Sequence, residues 1–210
     1  MGAEILNIHS KTPETRKISH VAKAIDDGAV ILYPVDTGFA LGCKLEDKEA
    51  ISRIRRIRSL PDSQALTFLC EDLSKISEFA KVNNEAYKTI KGLIPGPFTF
   101  ILPASKLVPK YAQNPKRSTA GIRVPNNRLT EALLEQLGKP IIAISAKIDN
   151  FDNALPDEVL DAYKNLVDIV VTSDDYNFTG QSTIIDMTTD AFEVTREGAG
   201  IDKVKNFLIA

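Results

Sequence analysis

Short apolar runs alternate with amphipathic segments along most of this chain, and this alternation restricts the fold more than any other feature. Apolar runs bounded by turn residues predict buried strands. These predicted strands lie at 29–34, 66–70, 98–102, 121–125, 140–146 and 167–171, with two more in STIIDM and FEVTRE near the C-terminus. Strands that alternate with helices predict a single α/β domain over residues 1–210, with helices packed on a sheet. Short later strands separated by turns indicate a mixed sheet, and the polar stretch 146–156 predicts a loop.

The charge balance restricts the kind of partner this chain can bind. It has 26 Lys and Arg against 28 Asp and Glu, a formal net charge of −2. A slightly acidic chain does not coat nucleic acid through bulk charge. Any basic surface must therefore be local, and the densest candidate is RIRRIRSLP at 53–61.

The arginine-rich stretch follows a good helix start. Asp47 precedes KEAISRIRRI, which places an acid before the helix and arginines toward its end. On a helix of about 3.6 residues per turn, the apolar stripe consists of Ala50, Ile51, Ile54 and Ile57. Arg58 would fall on this stripe, where an unpaired guanidinium is too costly. We therefore expect the helix to end before Arg58, or Arg58 to face a polar cleft, and Pro61 favours the first.

The four arginines do not share one direction on this helix. Arg53 points away from the stripe and Arg55 flanks it, and we interpret both as solvated surface charges. Arg56 and Arg58 lie at the helix end, where cations suit the helix dipole. Spacing alone leaves open whether these two also bind an anion.

The positions of the histidines and cysteines argue against several kinds of metal and catalytic site. His9 and His20 both lie near the N-terminus, and without HxH or HExxH spacing a histidine zinc site is not predicted. No other metal site is predicted, and a Ser-His-Asp triad is disfavoured. Cys43 and Cys70 do not form CxxC, so we expect two reduced thiols in or near strands. With neither a signal peptide nor an apolar run of about 20 residues, the expected location is the cytoplasm, without a membrane partner.

Seven motifs occur in an order and spacing that resemble the YrdC-like family, closest to its YciO branch. They are YPVDTGFALGCKL, RIRSLPDSQALTFLC, PGPFTFILP, GIRVP, AISA, STIIDM and TREGAG. The resemblance implies a twisted, open, mixed β-sheet with flanking helices and a concave basic face. It also implies a threonylcarbamoyl-AMP synthase, a nucleotidyltransferase that joins L-threonine, bicarbonate and ATP, releases pyrophosphate and serves tRNA threonylcarbamoyladenosine modification. Mg²⁺ would accompany ATP.

Site residues are implied position by position. The family's KxR motif falls on Arg56 and Arg58, which would be catalytic. The ATP-binding set implied by the resemblance is Arg56, Arg58, Ser145, Lys147 and Arg196. The threonine-binding set implied in the same way is Thr37, Gln64, Arg123 and Ser182.

This chain departs from the family pattern at four positions. Arg56 replaces a lysine, Lys147 replaces an asparagine, and Val35 and Ile144 each replace a hydroxyl residue. Lys147 can only donate hydrogen bonds, so nucleotide binding survives these changes better than threonine recognition does. Three hypotheses stay open: a synthase of this type, a nucleotide-binding paralogue with another acceptor, and a module that binds tRNA or double-stranded RNA through Arg53 and Arg55.

Overall fold

The computed structural model describes residues 2–148 and 154–208. Within these ranges the strands are β1 (Glu4–Ile8), β2 (Ile31–Val35), β3 (Gly38–Gly42), β4 (Thr67–Leu69), β5 (Phe98–Pro103), β6 (Thr119–Arg123), β7 (Ile141–Ile142), β8 (Ile144–Ser145), β9 (Ile169–Ser173), β10 (Thr183–Asp186) and β11 (Glu193–Arg196). The α-helices are α1 (Thr15–Asp26), α2 (Lys48–Ile57), α3 (Leu73–Phe79), α4 (Asn84–Leu93), α5 (Arg128–Leu137), α6 (Pro156–Tyr163) and α7 (Ile201–Leu208). A 3-10 turn covers Lys110–Ala112.

These elements confirm the predicted strands and the α/β class. The run at 140–146 differs from the prediction, because it forms two short strands that belong to different sheets. Two further strands, β1 and β3, were not predicted. Part of the predicted loop at 146–156, residues 149–153, lies outside the described residues.

Two mixed sheets organise the described residues. The first sheet has the order β1-β9-β2-β3-β8, with parallel pairs from β1 to β2 and antiparallel pairs from β2 to β8. The second sheet has the order β11-β10-β5-β6-β4-β7, in which β10 pairs with β5 and β6 pairs with β4 in parallel. The mixed arrangement confirms the predicted fold class.

The segment at 141–145 joins the two sheets. Ile141 and Ile142 pair with β4, whereas Ile144 and Ser145 pair with β3. Between them, the amide of Ala143 donates to the carbonyl of Thr67 at 2.9 Å. One short stretch of chain therefore lies between β3 and β4 and holds the sheets side by side.

Two apolar cores lie on opposite faces of the strands. Phe68, Phe100 and Ile122 are fully buried in the larger core, together with apolar residues of α2, α3, α4, α6 and α7. The smaller core places α1 and α5 against the first sheet, with Tyr33 at its centre. Successive strand residues point to opposite faces of a sheet. The smaller core lies on the face of the first sheet that α1 and α5 cover. No helix in the described ranges has the length and apolar character that a membrane span needs.

Candidate active site

The end of α2 is built as the sequence predicts. The carboxylate of Asp47 accepts a hydrogen bond from the amide of Ala50 at 2.9 Å, which caps the helix. The helix ends at Ile57, and Arg58 occupies the C-cap position with φ −100° and ψ 5°. The prediction that the helix ends before Arg58 is confirmed, and the side chain leaves the apolar stripe.

Arg58 contacts the strand that joins the two sheets. Its Nε donates to the carbonyl of Ser145 at 3.0 Å, and its Nη1 donates to the carbonyl of Lys147 at 3.1 Å. The hydroxyl of Tyr163 donates to the same Lys147 carbonyl at 2.5 Å. The structure thus brings together two of the predicted ATP-binding segments, although 87 residues separate Arg58 from Ser145.

Three of the predicted ATP-binding side chains face solvent. Arg56, Ser145 and Lys147 are all exposed, and none of the three side chains forms a hydrogen bond or an ion pair with the described residues. Nη2 of Arg58 is also without a partner among those residues, since its hydrogen bonds use Nε and Nη1. Several cationic donors therefore remain available for an anion at this end of the site, and their binding to ATP stays a prediction.

The interpretation of Arg55 as a solvated charge is wrong. Its side chain is buried, with a residue exposure of 5%. Nη1 donates to the carbonyl of Pro61 at 2.7 Å, and Nη2 donates to the carbonyls of Gln64 and Tyr111 at 2.9 and 3.1 Å. Burial lowers the pKa of Arg55, and the nearby Asp62 acts in the opposite direction. The helical wheel placed Arg55 beside the apolar stripe, but it could not show which distant carbonyl groups would cover the guanidinium.

Arg53 is half-buried and also engaged. Its Nη1 lies 2.6 Å from Oδ2 of Asp168, and its Nη2 donates to the carbonyl of Leu166 at 2.8 Å. Neither Arg53 nor Arg55 therefore presents an uncommitted cation, and a contact with tRNA or double-stranded RNA stays a prediction. Gln64 is exposed on the loop that follows Arg58, and Arg55 holds the backbone of that loop.

The other predicted threonine-binding residues meet at the ends of β2 and β6. Arg123 is buried and forms an ion pair with the buried carboxylate of Asp36. Nη1 of Arg123 donates to the hydroxyl of Thr37 at 2.7 Å, and Nε donates to the carbonyl of Gly96 at 3.2 Å. The amide of Asn126 donates to the second oxygen of Asp36 at 3.1 Å. In the ligand-free protein Arg123 is thus paired within the fold, and its contact with a substrate carboxylate stays a prediction.

Arg196 and Ser182 form the neighbouring part of the same region. Nη2 of Arg196 donates to the hydroxyl and the carbonyl of Ser182, at 2.8 and 2.7 Å, and that hydroxyl lies 2.9 Å from the hydroxyl of Thr99. Burial, and after it the positive charge of Arg123, lowers the pKa of Arg196. No carboxylate among the described residues forms an ion pair with Arg196. Asp36 and Arg123 cancel each other's charge, so this half-buried region carries one uncompensated cation.

These residues share one side of the second sheet, which we call the open face and define by Thr67, Gly121, Arg123, Ile184 and Arg196. Thr67 pairs with Gly121, and Ile184 pairs with Arg196. Residues of the opposite face, such as Phe68 and Ile185, are fully buried, whereas Thr67, Ile184 and Arg196 are half-buried. The open face is therefore accessible only in part, since Arg123 on it is buried. Whether it is the concave basic face that the resemblance implies stays a prediction.

A comparison with known proteins identifies the family. A family model that covers Sua5, YciO and YrdC proteins, described as "Telomere recombination", matches residues 23–198. The chain belongs to the Sua5/YciO/YrdC family.

Individual relatives support this assignment. YciO of Escherichia coli (strain K12) is 41% identical over 210 residues, which span 98% of this chain and all of that protein. Its crystal structure has a TM-score of 0.90 at 40% identity and covers 96% of this chain and 98% of that one. A threonylcarbamoyl-AMP synthase of Hydrogenovibrio crunogenus is 30% identical, over 64% of this chain and 74% of that protein. The structure of P. abyssi Sua5 complexed with L-threonine has a TM-score of 0.84 at 27% identity, over 95% of this chain and 60% of that chain.

Several residues that build this site were not predicted from the sequence. Asp36 was assigned no role from the sequence, since its ion pair with Arg123 joins positions 87 apart. Thr99 interrupts the apolar run FTFIL, and a hydroxyl within an otherwise apolar strand was a readable signal of a polar face. The contact of Tyr163 with the Lys147 carbonyl joins residues from separate elements, and no local pattern indicates it.

The described residues do not provide a metal site of their own. None of their His, Cys, Asp and Glu side chains form a group of three that could hold a metal ion. His9 lies 3.5 Å from Asp174 and His20 lies 2.9 Å from Glu4, both among exposed side chains. The Mg²⁺ that the resemblance implies stays a prediction, and it would take most of its ligands from phosphate oxygens and water.

Proposed function

We propose that this chain is an ATP-dependent nucleotidyltransferase of the L-threonylcarbamoyladenylate synthase type. Such an enzyme converts L-threonine, bicarbonate and ATP into threonylcarbamoyl-AMP, pyrophosphate and water. The observation that carries the proposal is the contact of Arg58 with the backbone of Ser145 and Lys147. This contact brings Arg58 to the segment that carries the exposed Lys147, and the exposed Arg56 lies two residues before Arg58.

The chemistry suits such a group of cations. A carboxylate or carbamate oxygen attacks the α-phosphate, the bond to pyrophosphate breaks, and negative charge accumulates on phosphate oxygens. Fixed cations that meet this charge supply most of the stabilisation, and no histidine is needed. The backbone contacts of Arg58 fix its guanidinium in advance, whereas Arg56 and Lys147 are free to turn toward phosphate. Mg²⁺ bound to the phosphates would offset further charge, and no step derived from these residues depends on it.

We call the region of Arg123, Ser182 and Arg196 the acceptor end of the site. It contains one cation that is available to bind a carboxylate. Arg123 already pairs with Asp36, while Arg196 donates to neutral oxygens of Ser182. An amino-acid carboxylate placed at Arg196 would compensate the remaining charge and accept hydrogen bonds in the forked geometry that arginine favours. A relative in this family has been solved with L-threonine, which supports an amino acid as the acceptor.

A second candidate is a nucleotide-dependent enzyme with a different acceptor. Two observations favour it: Val35 is buried and offers no hydroxyl, and Arg123 is neutralised within the fold. The phosphate end of the site, which comprises Arg56, Arg58 and Lys147, is the same in both candidates. Only the molecule that receives the carbamoyl or acyl group differs.

The test measures pyrophosphate release with ATP, bicarbonate and a panel of amino acids, with mass spectrometry of the adenylate. We expect release that requires bicarbonate and L-threonine together. Arg56→Ala should reduce the rate, whereas Arg53→Ala, remote from the site, serves as a matched arginine control. Release with another acceptor supports the second candidate. If calorimetry detects no binding of ATP with or without Mg²⁺, both candidates are excluded.

A further inference from the structure

Thr67 holds a central place on the open face. Its strand, β4, lies between β7 and β6 in the second sheet. On one side, Thr67 accepts a backbone hydrogen bond from Ala143, two residues before Ser145. On the other side it pairs with Gly121, two residues before Arg123. At a strand rise of about 3.3 Å per residue, Ser145 and Arg123 each begin roughly 7 Å along the strand from the neighbours of Thr67.

Arg123 and Ser145 lie in opposite directions from Thr67 along β4. β6 runs parallel to β4, so Arg123 lies toward Leu69, whereas β7 runs antiparallel, so Ser145 lies toward the other end of β4. Thr67 therefore lies on the diagonal between Ser145 and Arg123, so a small anion bound between these two residues would lie near its side chain.

The orientation of the Thr67 side chain is fixed by a glycine. A Cβ atom at Gly121 would come within 2.7 Å of Oγ1 of Thr67 and within 3.4 Å of Cγ2 of Thr99. The Thr67 hydroxyl thus leans over β6, into space that a side chain at position 121 would occupy. Within the described residues this hydroxyl has no hydrogen-bond partner, yet it is absent from the buried unsatisfied oxygens, so solvent or a ligand reaches it.

We propose that the Thr67 hydroxyl, seated over Gly121, donates a hydrogen bond to a planar bicarbonate or carboxylate group bound between the two ends of the site. The proposal rests on the proposed function, and it adds a substrate-contacting residue that the resemblance did not supply. Two sources share this chemistry: bicarbonate itself and the carboxylate of the acceptor amino acid. Arg123 does not compete for the group, since Asp36 already neutralises it.

The first test is kinetic. Thr67→Val removes the hydroxyl but keeps the β-branched shape, so the strand should fold, and Thr67→Ser restores the hydroxyl. We expect Thr67→Val to raise the KM of bicarbonate or of the amino acid by about tenfold, and the KM of ATP by less than about twofold, the loss expected for one hydrogen bond. Which KM rises identifies the source of the group. Thr172→Val is the matched control, because Thr172 lies on β9 of the first sheet.

The second test does not require turnover. In protein with ¹³C-labelled threonine methyl groups, the Thr67 signal is assigned by its loss in Thr67→Val. It is then followed during separate additions of bicarbonate, L-threonine and ATP. A shift with bicarbonate or threonine supports the proposal, even if ATP fails to bind and the proposed function falls. If ATP binds but the Thr67 signal does not shift with either small molecule, and Thr67→Val leaves every KM unchanged, the proposal is overturned while the proposed function stands.

Discussion

Asp36 and Arg123 form an ion pair inside the protein, with side-chain exposures of 5% and 6%. The amide of Asn126 and the hydroxyl of Thr37 complete the hydrogen bonding around the pair. Burying one charge requires the other, because an isolated charge at this depth loses its hydration without compensation. The β2–β3 turn, which carries Asp36 and Thr37, is thereby fastened to the end of β6.

Replacement of Asp36 by asparagine should destabilise the fold strongly. Asp36→Asn keeps the size of the side chain but leaves Arg123 as an unpaired buried cation, so we expect a loss of about 3–5 kcal/mol in the free energy of unfolding. Urea denaturation measures it. Glu85→Gln breaks an exposed pair with Lys88, whose side chains are 70% and 72% exposed, and should cost at most about 0.5 kcal/mol. Equal stability of the two variants would show that the buried pair does not hold the turn.

Arg56 and Arg58 should respond differently to alanine substitution. Arg56 has no described partner, so Arg56→Ala should change stability by less than about 0.5 kcal/mol and weaken ATP binding by about tenfold or more. Arg58→Ala should weaken binding and also lower stability by about 1–3 kcal/mol, since the carbonyls of Ser145 and Lys147 lose a charged donor. Calorimetric titration and thermal unfolding separate the two effects. Unchanged ATP affinity in both variants would argue against phosphate binding at this end.

Arg55 should be required for folding stability. Arg55→Ala leaves the carbonyls of Pro61, Gln64 and Tyr111 without their donor, and we expect a loss of about 2–4 kcal/mol. Arg53→Ala, which removes a half-exposed pair, should cost about 1 kcal/mol or less. Hydrogen exchange of the loop at 59–65 should rise in the first variant alone. Exchange unchanged by Arg55→Ala would show that this arginine does not tether the loop.

Both thiols should be unreactive in the folded protein. Cys43 and Cys70 are free and buried, and burial raises the pKa of each thiol. Iodoacetamide, which needs a thiolate, should therefore label neither residue at pH 8 within the time that labels both in urea. Mass spectrometry counts the added groups. Rapid labelling of the native protein would contradict the burial of these side chains.

Glu14 should titrate at low pH. Hydrogen bonds from the side chain of Lys17 and from the amide of His9 lower the pKa of Glu14 from 4.5 to about 2. Because the folded pKa is depressed, this contribution to stability is present above about pH 4.5 and is lost as the pH falls through 2. Carboxyl ¹³C NMR should give a midpoint near 2, and Lys17→Ala should raise it. A wild-type midpoint near 4.5 would rule out these contacts in solution.

The elements that the sequence predicts are those with local signals. Asp47 caps the start of α2, and Pro61 follows its end. Gly138 ends α5 at φ 61°, as expected for a C-cap glycine. Partners from distant segments carry no such signal. Arg55 is covered by a carbonyl 56 positions away, and the run at 140–146 changes sheets because β3 and β4 both pair with it. The site is predictable as a set of residue types, but its pairings, such as Asp36 with Arg123, depend on tertiary contacts.

The crossing of the chain at 141–145 has an evolutionary consequence. Arg58 contacts Ser145 of the first sheet, whereas Arg123 and Arg196 belong to the second, so substitutions in β10 or β11 can alter the surroundings of Arg196 without displacing Arg58. The length of the segment at 141–145 cannot vary in this way. Insertion or deletion of one residue before Ser145 inverts the alternation of side chains and turns Ile144 to the side that Ser145 occupies. Descendants of such a chain can change the side chains of either sheet by point substitution, while the length of this short connection stays fixed.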